Sequence, residues 1–264
     1  MDKNRFPPTV MAAIFLMIFG ALGFLFYRAI GANDLSAQSA SADPEFGQQV
    51  RAYLLENPSV LREVITKLQV TEQMETESRQ KRLMSDLKSE IQNDGYSYVA
   101  GNPDGDVTIV EFFDYRCGYC KKVFPDLMKV VEEDGNIRLV LKEFPILGDA
   151  SVLGSRAVIA AQLQGKYMEF HNALMELRGN ITETRLMALA SQMDIDGEKL
   201  AADMKSEDIT NKIRRTYDLA QALGISGTPA FVIGGKLTPG AVPAERLKQL
   251  IAQVREQAAN SATN

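Results

Sequence analysis

The stretch Val107–Cys120, "VTIVEFFDYRCGYC", determines the expected fold. Its first half, through Phe113, is a nearly continuous run of β-branched, aromatic and other apolar residues, which predicts a buried central strand. Cys117 and Cys120 follow at once, where a helix should begin around Cys117. They are the only two cysteines among the 264 residues. A cysteine pair between a strand and a helix favours thiol chemistry.

The surrounding pattern predicts an α/β domain with a helical insertion, spanning residues 95–257. Helical periodicity fills most of the interval between the second strand and the later hairpin, from Ala150 to about Gly224. The expected elements outside this insertion are strands at Ile137–Phe144, Ala230–Ile233 and Lys236–Leu237, and a final helix at Ala244–Gln257. Residues 258–264 are expected to form a disordered tail.

The N-terminal region, residues 1–30, contains a membrane-spanning candidate. Residues 6–27 carry no charge and are long enough to cross a bilayer as a helix, and Lys3 and Arg5 favour a cytoplasmic start. The competing interpretation is a cleaved signal peptide, although the small-residue motif Ala40-Ser41-Ala42 lies well past the apolar run. Both interpretations export the rest of the chain to a compartment where disulfide chemistry matters.

Residues 31–43 are small and polar, as in a flexible linker, and residues 44–94 are expected to be helical. Asn57-Pro58 should separate two helices, because proline suits only a first helical turn. The polar stretch 69–82 follows as either a rigid helix or a hinge. Apolar stripes occupy positions Phe46, Val50, Tyr53 and Leu54, then Leu61, Val64, Ile65 and Leu68, then Leu83, Leu87 and Ile91. These stripes could cover the neighbouring domain, but we favour packing against copies of the same chain as an oligomerisation segment.

Composition excludes several functions. The formal net charge of −5 and the absence of a basic run argue against nucleic acid as a partner. No phosphate-binding glycine loop is present, and we expect no cofactor and no metal. His171 is the only histidine, and we interpret it as a helix residue without a chemical role.

The cysteine pair allows three interpretations: a metal site, a structural disulfide or a redox pair. A closed zinc site needs four ligands, and the chain offers two cysteines and the distant His171. A structural disulfide stabilises mainly by closing long loops, and this loop is very short. We therefore favour the redox pair.

The position of Cys117 at a helix start should stabilise its thiolate, because free amides and the helix dipole favour negative charge there. Cys117 is then the expected exposed nucleophile, and Cys120, one turn later, the buried resolving thiol. Nearby charges should contribute as well, with Arg116, Lys121 and Lys122 favouring the thiolate and Asp114 opposing it. The alternative for the two lysines is a solvated helix face without a role at the site.

Glu111 and Thr228-Pro229 are further candidates. A carboxylate on a buried strand needs a partner or a function, and Glu111 could exchange a proton with Cys120. Alternatively, the Glu111 side chain points to the sheet edge or forms an ion pair with Lys142. Pro229 precedes a strand that should lie beside the site, and a cis bond there would expose the Thr228 backbone to a peptide, whereas an ordinary trans turn is the alternative.

"EFFDYRCGYC", Pro125 within the helix, the helical insertion and "GTPAFVIGG" together resemble the DsbA-like family of thioredoxin-fold enzymes. The segment "QVRAYLLENPSVLREVITKLQ" is similar to the ScsC-like branch, some members of which oligomerise through it. The resemblance implies that Cys117 is the nucleophile, Cys120 the resolving thiol, Glu111 the buried acid and Pro229 the cis-proline. It also implies exported cysteine-containing substrates and a membrane redox partner, either a DsbD-like reductase or a DsbB-like oxidase.

Two departures from DsbA itself bear on the direction of electron flow. Gly118-Tyr119 replaces Pro-His between the cysteines, and Thr228 replaces valine before the cis-proline, a combination similar to DsbC-type isomerases. Without the intervening imidazole the disulfide should be a weaker oxidant. The function expected is therefore disulfide isomerisation or reduction in the periplasm. The alternatives are a DsbA-type oxidase and a copper-binding or chaperone-like protein, since two thiolates suit Cu(I).

Overall fold

The computed structural model describes residues 43–262, which separate into two units, 43–70 and 71–262. The predictions for the apolar run 6–27, for Ala40-Ser41-Ala42 and for most of the linker lie outside the described residues and stay predictions. Within residues 43–262, no helix combines the length and the apolar character that a membrane crossing requires.

The first unit is helical. Helix α1 (Pro44–Glu56) begins after Asp43, whose carboxylate accepts the Glu45 amide at 3.0 Å. It ends before Asn57, and α2 (Pro58–Asp86) starts at the proline, so the predicted interruption is confirmed. The stretch 69–82 is part of α2. Most large apolar side chains of this unit are exposed in the single chain: Phe46, Val50, Tyr53, Leu55, Leu61, Val64, Ile65, Leu68 and Val70. Leu54, also in the predicted stripe, is half-buried.

The second unit contains the end of α2 and a mixed α/β arrangement, as predicted. Its further elements are α3 (Lys88–Gln92), β1 (Tyr98–Gly101), β2 (Val107–Phe113), α4 (Gly118–Asp134), β3 (Ile137–Glu143), α5 (Asp149–Gln162), α6 (Tyr167–Glu176), α7 (Glu183–Gln192), α8 (Gly197–Asp203), α9 (Glu207–Ala222), β4 (Ala230–Ile233), β5 (Lys236–Pro239) and α10 (Ala244–Ala262).

The five strands form one sheet in the order β1-β3-β2-β4-β5. β2 runs parallel to β3, and the other neighbouring strands are antiparallel. β2 lies at the centre, and because side chains alternate along a strand, Ile109 and Phe113 pack on one face while Val110 and Phe112 pack on the other. The central position of β2 brings its C-terminal end, and the cysteine pair after it, next to both β3 and β4.

The predicted oligomerisation segment 44–94 is too long at its C-terminal end. Met84 and Ile91 are buried against Val110 and Phe112 on the second face of the sheet. The last apolar stripe therefore covers the sheet, because the sheet face offers apolar surface within the same chain. The tail prediction also needs correction: α10 continues to Ala262, since Ala258 and Ala259 are strong helix formers.

A buried ion pair ties the segment after α3 to the sheet. The Lys142 side chain is fully buried, and its Nζ lies 2.5 Å from Asp94 Oδ2 and 2.7 Å from the Glu90 carbonyl. The alternative pairing of Lys142 with Glu111 is therefore wrong. Glu111 is paired in register with Leu141, so Lys142, the next residue of β3, points to the opposite face of the sheet.

Candidate active site

Cys117 is the N-cap residue of α4, which confirms the predicted helix start. Its Sγ accepts the amide of Cys120 at 3.3 Å, and its thiol donates to the Thr228 carbonyl oxygen at 3.2 Å. Both cysteines are free thiols. An N-cap sulfur receives the hydrogen bonds that the first turn of a helix leaves unused, and these favour its anionic form.

Cys117 is less exposed than expected. Only 6% of its surface is accessible, and Cys120 is completely buried. The expectation of an exposed Cys117 is therefore wrong, and its contact with the Thr228 carbonyl identifies a group that lies against it. Tyr119, between the two cysteines, is 65% exposed.

The two thiols have opposite acid–base behaviour. The hydrogen bond from the Cys120 side chain, with those from the Thr228 side chain and the amides of Cys120 and Tyr119, lowers the pKa of Cys117 to about 6 against the opposing effect of burial. The same hydrogen bond to Cys117, then burial and the charge of Glu111, raise the pKa of Cys120 far above its usual range. At neutral pH the pair therefore holds one thiolate, on Cys117.

The neighbouring cations do not take the role expected of them. Lys121 Nζ donates to the carbonyls of Leu174 and Leu177 at 2.6 and 2.7 Å, at the end of α6. The Arg116 guanidinium donates to the Leu147 carbonyl. These cations satisfy carbonyl groups, and the Cys117 thiolate is stabilised by hydrogen-bond donors instead.

We expect the ultraviolet thiolate absorbance of the reduced protein to rise with a midpoint near pH 6. Cys117→Ser should remove this transition, and Cys120→Ser should move it to higher pH because the strongest stabilising contact is lost. The pKa of Cys117 is lower than the ordinary thiol value of 9.0, so its contribution to the stability of the reduced protein should grow as pH rises from about 6 to 9. A midpoint unchanged in Cys120→Ser would contradict this assignment.

Glu111 is fully buried on β2, and neither carboxylate oxygen has a hydrogen-bond partner among the described residues. Burial, and then the charge of Cys117, raise its pKa to about 8. The charge of Glu111 in turn contributes to the raised pKa of Cys120. The structure therefore brings Glu111 within electrostatic range of both cysteines, as a carboxyl group that holds a proton at neutral pH.

The Thr228–Pro229 peptide bond is cis, as the resemblance implied. The loop lies beside the dithiol because β4 starts at Ala230, directly opposite Phe112 of β2. The five residues proposed from the sequence, Cys117, Cys120, Glu111, Thr228 and Pro229, therefore converge at one end of the sheet.

Two features of the site were not anticipated. Asp114, expected only as an opposing charge, is buried and accepts the amides of Arg116 and Leu147 at 2.7 and 2.9 Å and the Ser151 hydroxyl at 2.8 Å. It fixes the turn before Cys117. His171, expected to have no chemical role, is buried with its Nδ1 2.8 Å from the Tyr115 hydroxyl. The sequence could have indicated the first feature, because an aspartate side chain often accepts the backbone amide two residues later in a turn. No sequence pattern predicts the contact between Tyr115 and His171.

The site holds no cluster of metal ligands within the described part of the chain: residues 43–262 bring no three His, Cys, Asp or Glu side chains into metal-binding range of one another. An open cleft of about 530 Å³ lies along α4, beyond the dithiol. Its lining combines apolar side chains with polar and charged ones: Lys121, Phe124, Pro125, Met128, Asn172, Met175, Glu176, Leu177 and Arg178.

Comparison with known families gives two matches. Residues 108–252 match the DSBA-like thioredoxin domain, and residues 44–75 match the N-terminal domain of the copper resistance protein ScsC. The first match covers strands β2 to β5, the dithiol and the helical insertion. The second covers the exposed apolar helices of the first unit.

Three relatives illustrate the similarity. A thioredoxin-like oxidoreductase from Silicibacter pomeroyi is 42% identical, with a TM-score of 0.62 over 64% of this chain and 97% of that one. A linker-deletion mutant of Proteus mirabilis ScsC is 25% identical, with a TM-score of 0.62 over 85% of this chain and all of that one. The probable disulfide bond formation protein D of Bacillus anthracis is 30% identical over 52% of this chain and 69% of that protein.

Other curated relatives are much longer than this chain. Na(+)/H(+) antiporters NhaA of Salinispora arenicola and Salinispora tropica match over 58% of this chain, which spans only 24% of their length.

Proposed function

Because the chain belongs to the DSBA-like thioredoxin domain family, we propose that it is a protein thiol–disulfide oxidoreductase that uses Cys117 and Cys120. The observation that carries this proposal is the unequal pair of thiols. Cys117 is held as a thiolate at the N-cap of α4, while the buried Cys120 keeps its proton beside the carboxyl group of Glu111.

In the proposed reaction the Cys117 thiolate attacks a substrate disulfide. A bond forms between Cys117 Sγ and one substrate sulfur, and the other substrate sulfur leaves as a thiolate that takes a proton from solvent. In the mixed disulfide Cys117 carries no charge, so one cause of the raised pKa of Glu111 is lost and Glu111 ionises more readily. The ionised carboxylate then takes the proton of Cys120, which attacks Cys117 Sγ. The Cys117–Cys120 disulfide forms, the mixed disulfide breaks, and the second substrate sulfur leaves reduced.

The Thr228 carbonyl and the adjacent cleft support binding of an extended polypeptide. The carbonyl contacts Cys117 Sγ at 3.2 Å, so a substrate backbone amide that pairs with it would lie beside the reacting sulfur. The apolar lining of the cleft, including Phe124, Met128 and Met175, suits the side chains that an unfolded or misfolded protein exposes. We infer that the substrates are incompletely folded exported proteins with cysteines.

We favour isomerase or reductase activity over oxidation. The Cys117 pKa of about 6 is well above the roughly 3.5 of the most oxidising family members, so its thiolate is less stabilised and its disulfide is a weaker oxidant. Gly118-Tyr119 supplies no imidazole between the cysteines, in agreement with this. DsbA-type oxidation is the alternative.

We further propose that residues 44–70 assemble copies of the chain. Their apolar side chains are exposed in the single chain, at 56% for Val64 and 53% for Ile65, and the ScsC N-terminal match covers them. We place the active unit in the periplasm, anchored by residues 6–27, with electrons exchanged through a membrane redox partner. Several dithiols would then face one substrate, which favours isomerisation.

The test uses full-length protein in detergent micelles with scrambled ribonuclease as substrate. We expect ribonuclease activity to recover, and we expect Val64→Lys/Ile65→Lys to give monomers by light scattering with most of this recovery lost. Leu163→Lys, an equally exposed apolar site in the second unit, is the matched control and should behave as wild type. A redox potential near about −120 mV without recovery of ribonuclease would assign the protein as an oxidase.

A further inference from the structure

A buried polar cluster lies behind the active-site helix. Glu143 Oε1, at the end of β3, accepts the hydroxyl of Tyr115 at 2.9 Å and the hydroxyl of Tyr167 at 2.8 Å. The Tyr115 hydroxyl also lies 2.8 Å from His171 Nδ1. We call these four residues the Glu143 cluster. Each of the four residues exposes at most 6% of its surface, so bulk water does not contact the cluster directly.

The hydrogen bonds of this cluster can be arranged in two ways that differ by one proton. With ionised Glu143, Tyr115 donates its single hydrogen to the carboxylate, and His171 donates from Nδ1 to the Tyr115 oxygen. With protonated Glu143, the carboxyl group can donate to Tyr115, which then donates to Nδ1 of the other neutral His171 tautomer, whose proton is on Nε2. Burial lowers the pKa of His171 to about 3, so the imidazole is neutral in both arrangements.

The cluster adjoins the dithiol centre on the same face of the sheet. Glu143 is the register partner of Phe113, and Glu111 lies two residues earlier on β2, so both carboxyl groups project to one face. The His171 ring contacts the rings of Phe113 and Phe124, each with a centroid distance of 5.0 Å. Phe124 follows Cys120 by one helical turn, and Tyr115 precedes Cys117 by two residues.

The Glu143 cluster also has an outlet. Glu143 and Tyr167 line a cavity of about 10 Å³, near the smallest volume that holds one water molecule. Glu143 Oε2 has no hydrogen-bond partner among the described residues, and a water in this cavity would supply one. The cavity wall is mainly apolar, and four half-buried residues with polar groups also border it: Tyr96, Ser97, Gln162 and Lys212. Glu111 has no hydrogen-bond partner among residues 43–262, but its charge acts on Tyr167, whose hydroxyl donates to Glu143.

We propose that Glu143 is an internal proton store of the dithiol centre, which takes the proton that Cys120 gives to Glu111 and releases it through the adjacent cavity. This inference rests on the proposed function. Cys120 loses its proton to Glu111 as it attacks Cys117. The proton then passes from the Glu111 carboxyl group to the Glu143 carboxylate, which restores Glu111 for the next cycle, and leaves to water. Reduction of the disulfide follows the same path in reverse. Glu143 is a positioning residue in this scheme, because it acts through Glu111.

The surroundings of Glu143 keep its pKa close to neutral pH. Burial raises its pKa to about 7, the charge of Asp114 adds to this, and hydroxyl donors oppose it. The facing groups come from several elements: Asp114 and Tyr115 before α4, Ser155 on α5, Tyr167 and His171 on α6, and Lys212 on α9. A store that titrates near pH 7 can both accept a proton from Glu111 and release it.

The test measures, against pH, the rate at which Cys120 resolves a preformed mixed disulfide between Cys117 and a small thiol. Glu143→Gln keeps the shape and one acceptor oxygen but cannot titrate. We expect it to slow resolution about tenfold at pH 7, below the roughly 10²–10⁴-fold typical of direct proton donors, and to remove one titration from the profile. Tyr167→Phe removes one donor to the ionised carboxylate, so it should move that titration to higher pH. Tyr53→Phe is the control for the loss of a tyrosine hydroxyl, because Tyr53 is exposed on α1 and lines neither the cluster nor the cavity, and it should give the wild-type profile.

A Glu143→Gln profile identical to that of wild type would overturn the inference. The inference would also fail if Glu143→Gln and Tyr167→Phe changed the profile in the same way, because that result indicates a purely structural role. If Glu143→Gln fails to fold, the infrared difference spectrum between oxidised and reduced wild-type protein decides. A protonated-carboxyl band that shifts in Tyr167→Phe supports the store, and its absence refutes it. Wild-type protein that forms no mixed disulfide through Cys117 would refute the proposed function instead.

Discussion

Cys117→Ser is expected to abolish disulfide exchange with protein substrates, at least about 10³-fold below wild type. The thiolate is the only form that attacks a disulfide, and a serine hydroxyl does not ionise in this pH range. Cys120 cannot replace it, because its pKa is raised and its side chain is fully buried. The measurement is the initial rate of insulin reduction with dithiothreitol as electron donor.

Cys120→Ser provides the complementary result. Cys117 still attacks, but no second thiol resolves the product, so covalent protein–substrate complexes should accumulate and disappear on treatment with a reductant. Non-reducing gels of the two variants, incubated with the same scrambled substrate, separate the roles. Trapped complexes in Cys117→Ser rather than in Cys120→Ser would reverse the assignment of nucleophile and resolving thiol.

Glu111→Leu is expected to increase the free energy of unfolding by about 3–5 kcal/mol at pH 9. The pKa of Glu111 is raised from 4.5 to about 8, so the folded state binds its proton more tightly than the unfolded state does. Wild-type stability should therefore fall as pH rises from about 4.5 to 8, and the variant should lack this loss. Leu141 and Phe231, the register partners of Glu111, offer apolar surface to the new side chain.

Urea unfolding of wild type and variant at pH 5 and pH 9 measures this difference. The gain should be larger in the reduced protein than in the oxidised protein, because the charge of the Cys117 thiolate is the second cause of the raised pKa. Resolution of mixed disulfides should meanwhile slow by about 10²-fold, since Cys120 loses its proton acceptor. Parallel stability curves for the two proteins would show that Glu111 has an unrecognised partner.

Local patterns in the sequence predicted the parts of the site that depend on neighbouring residues. The apolar run of β2, the helix start at Cys117 and the break at Asn57-Pro58 each follow from residue types within a few positions. The motif at Thr228-Pro229 agreed with a known family, so even its cis bond could be expected. The short strand β1 escaped prediction, because four residues ending in Gly101 carry too little alternation.

Contacts between distant residues could not be predicted. The Glu143 cluster joins positions 28 and 56 residues apart, and its hydrogen bonds depend on how α6 packs against the sheet. The predicted stabilisation of the Cys117 thiolate by Lys121 was wrong for the same reason. Lys121 donates instead to carbonyl groups that lie 53 and 56 residues away in the sequence. Adjacency in the sequence indicated which charges were near, but not which groups they would contact.

The buried Asp94–Lys142 pair has a consequence for how this catalytic module can be exchanged between proteins. A composition-based boundary at Gly95 would cut the chain one residue after Asp94 and leave the ammonium group of Lys142 enclosed without its carboxylate. An uncompensated buried charge is among the most damaging changes a fold can undergo. Recombination events that transplant the module must therefore carry the residues just ahead of the sheet, and natural fusion points should lie upstream of Asp94.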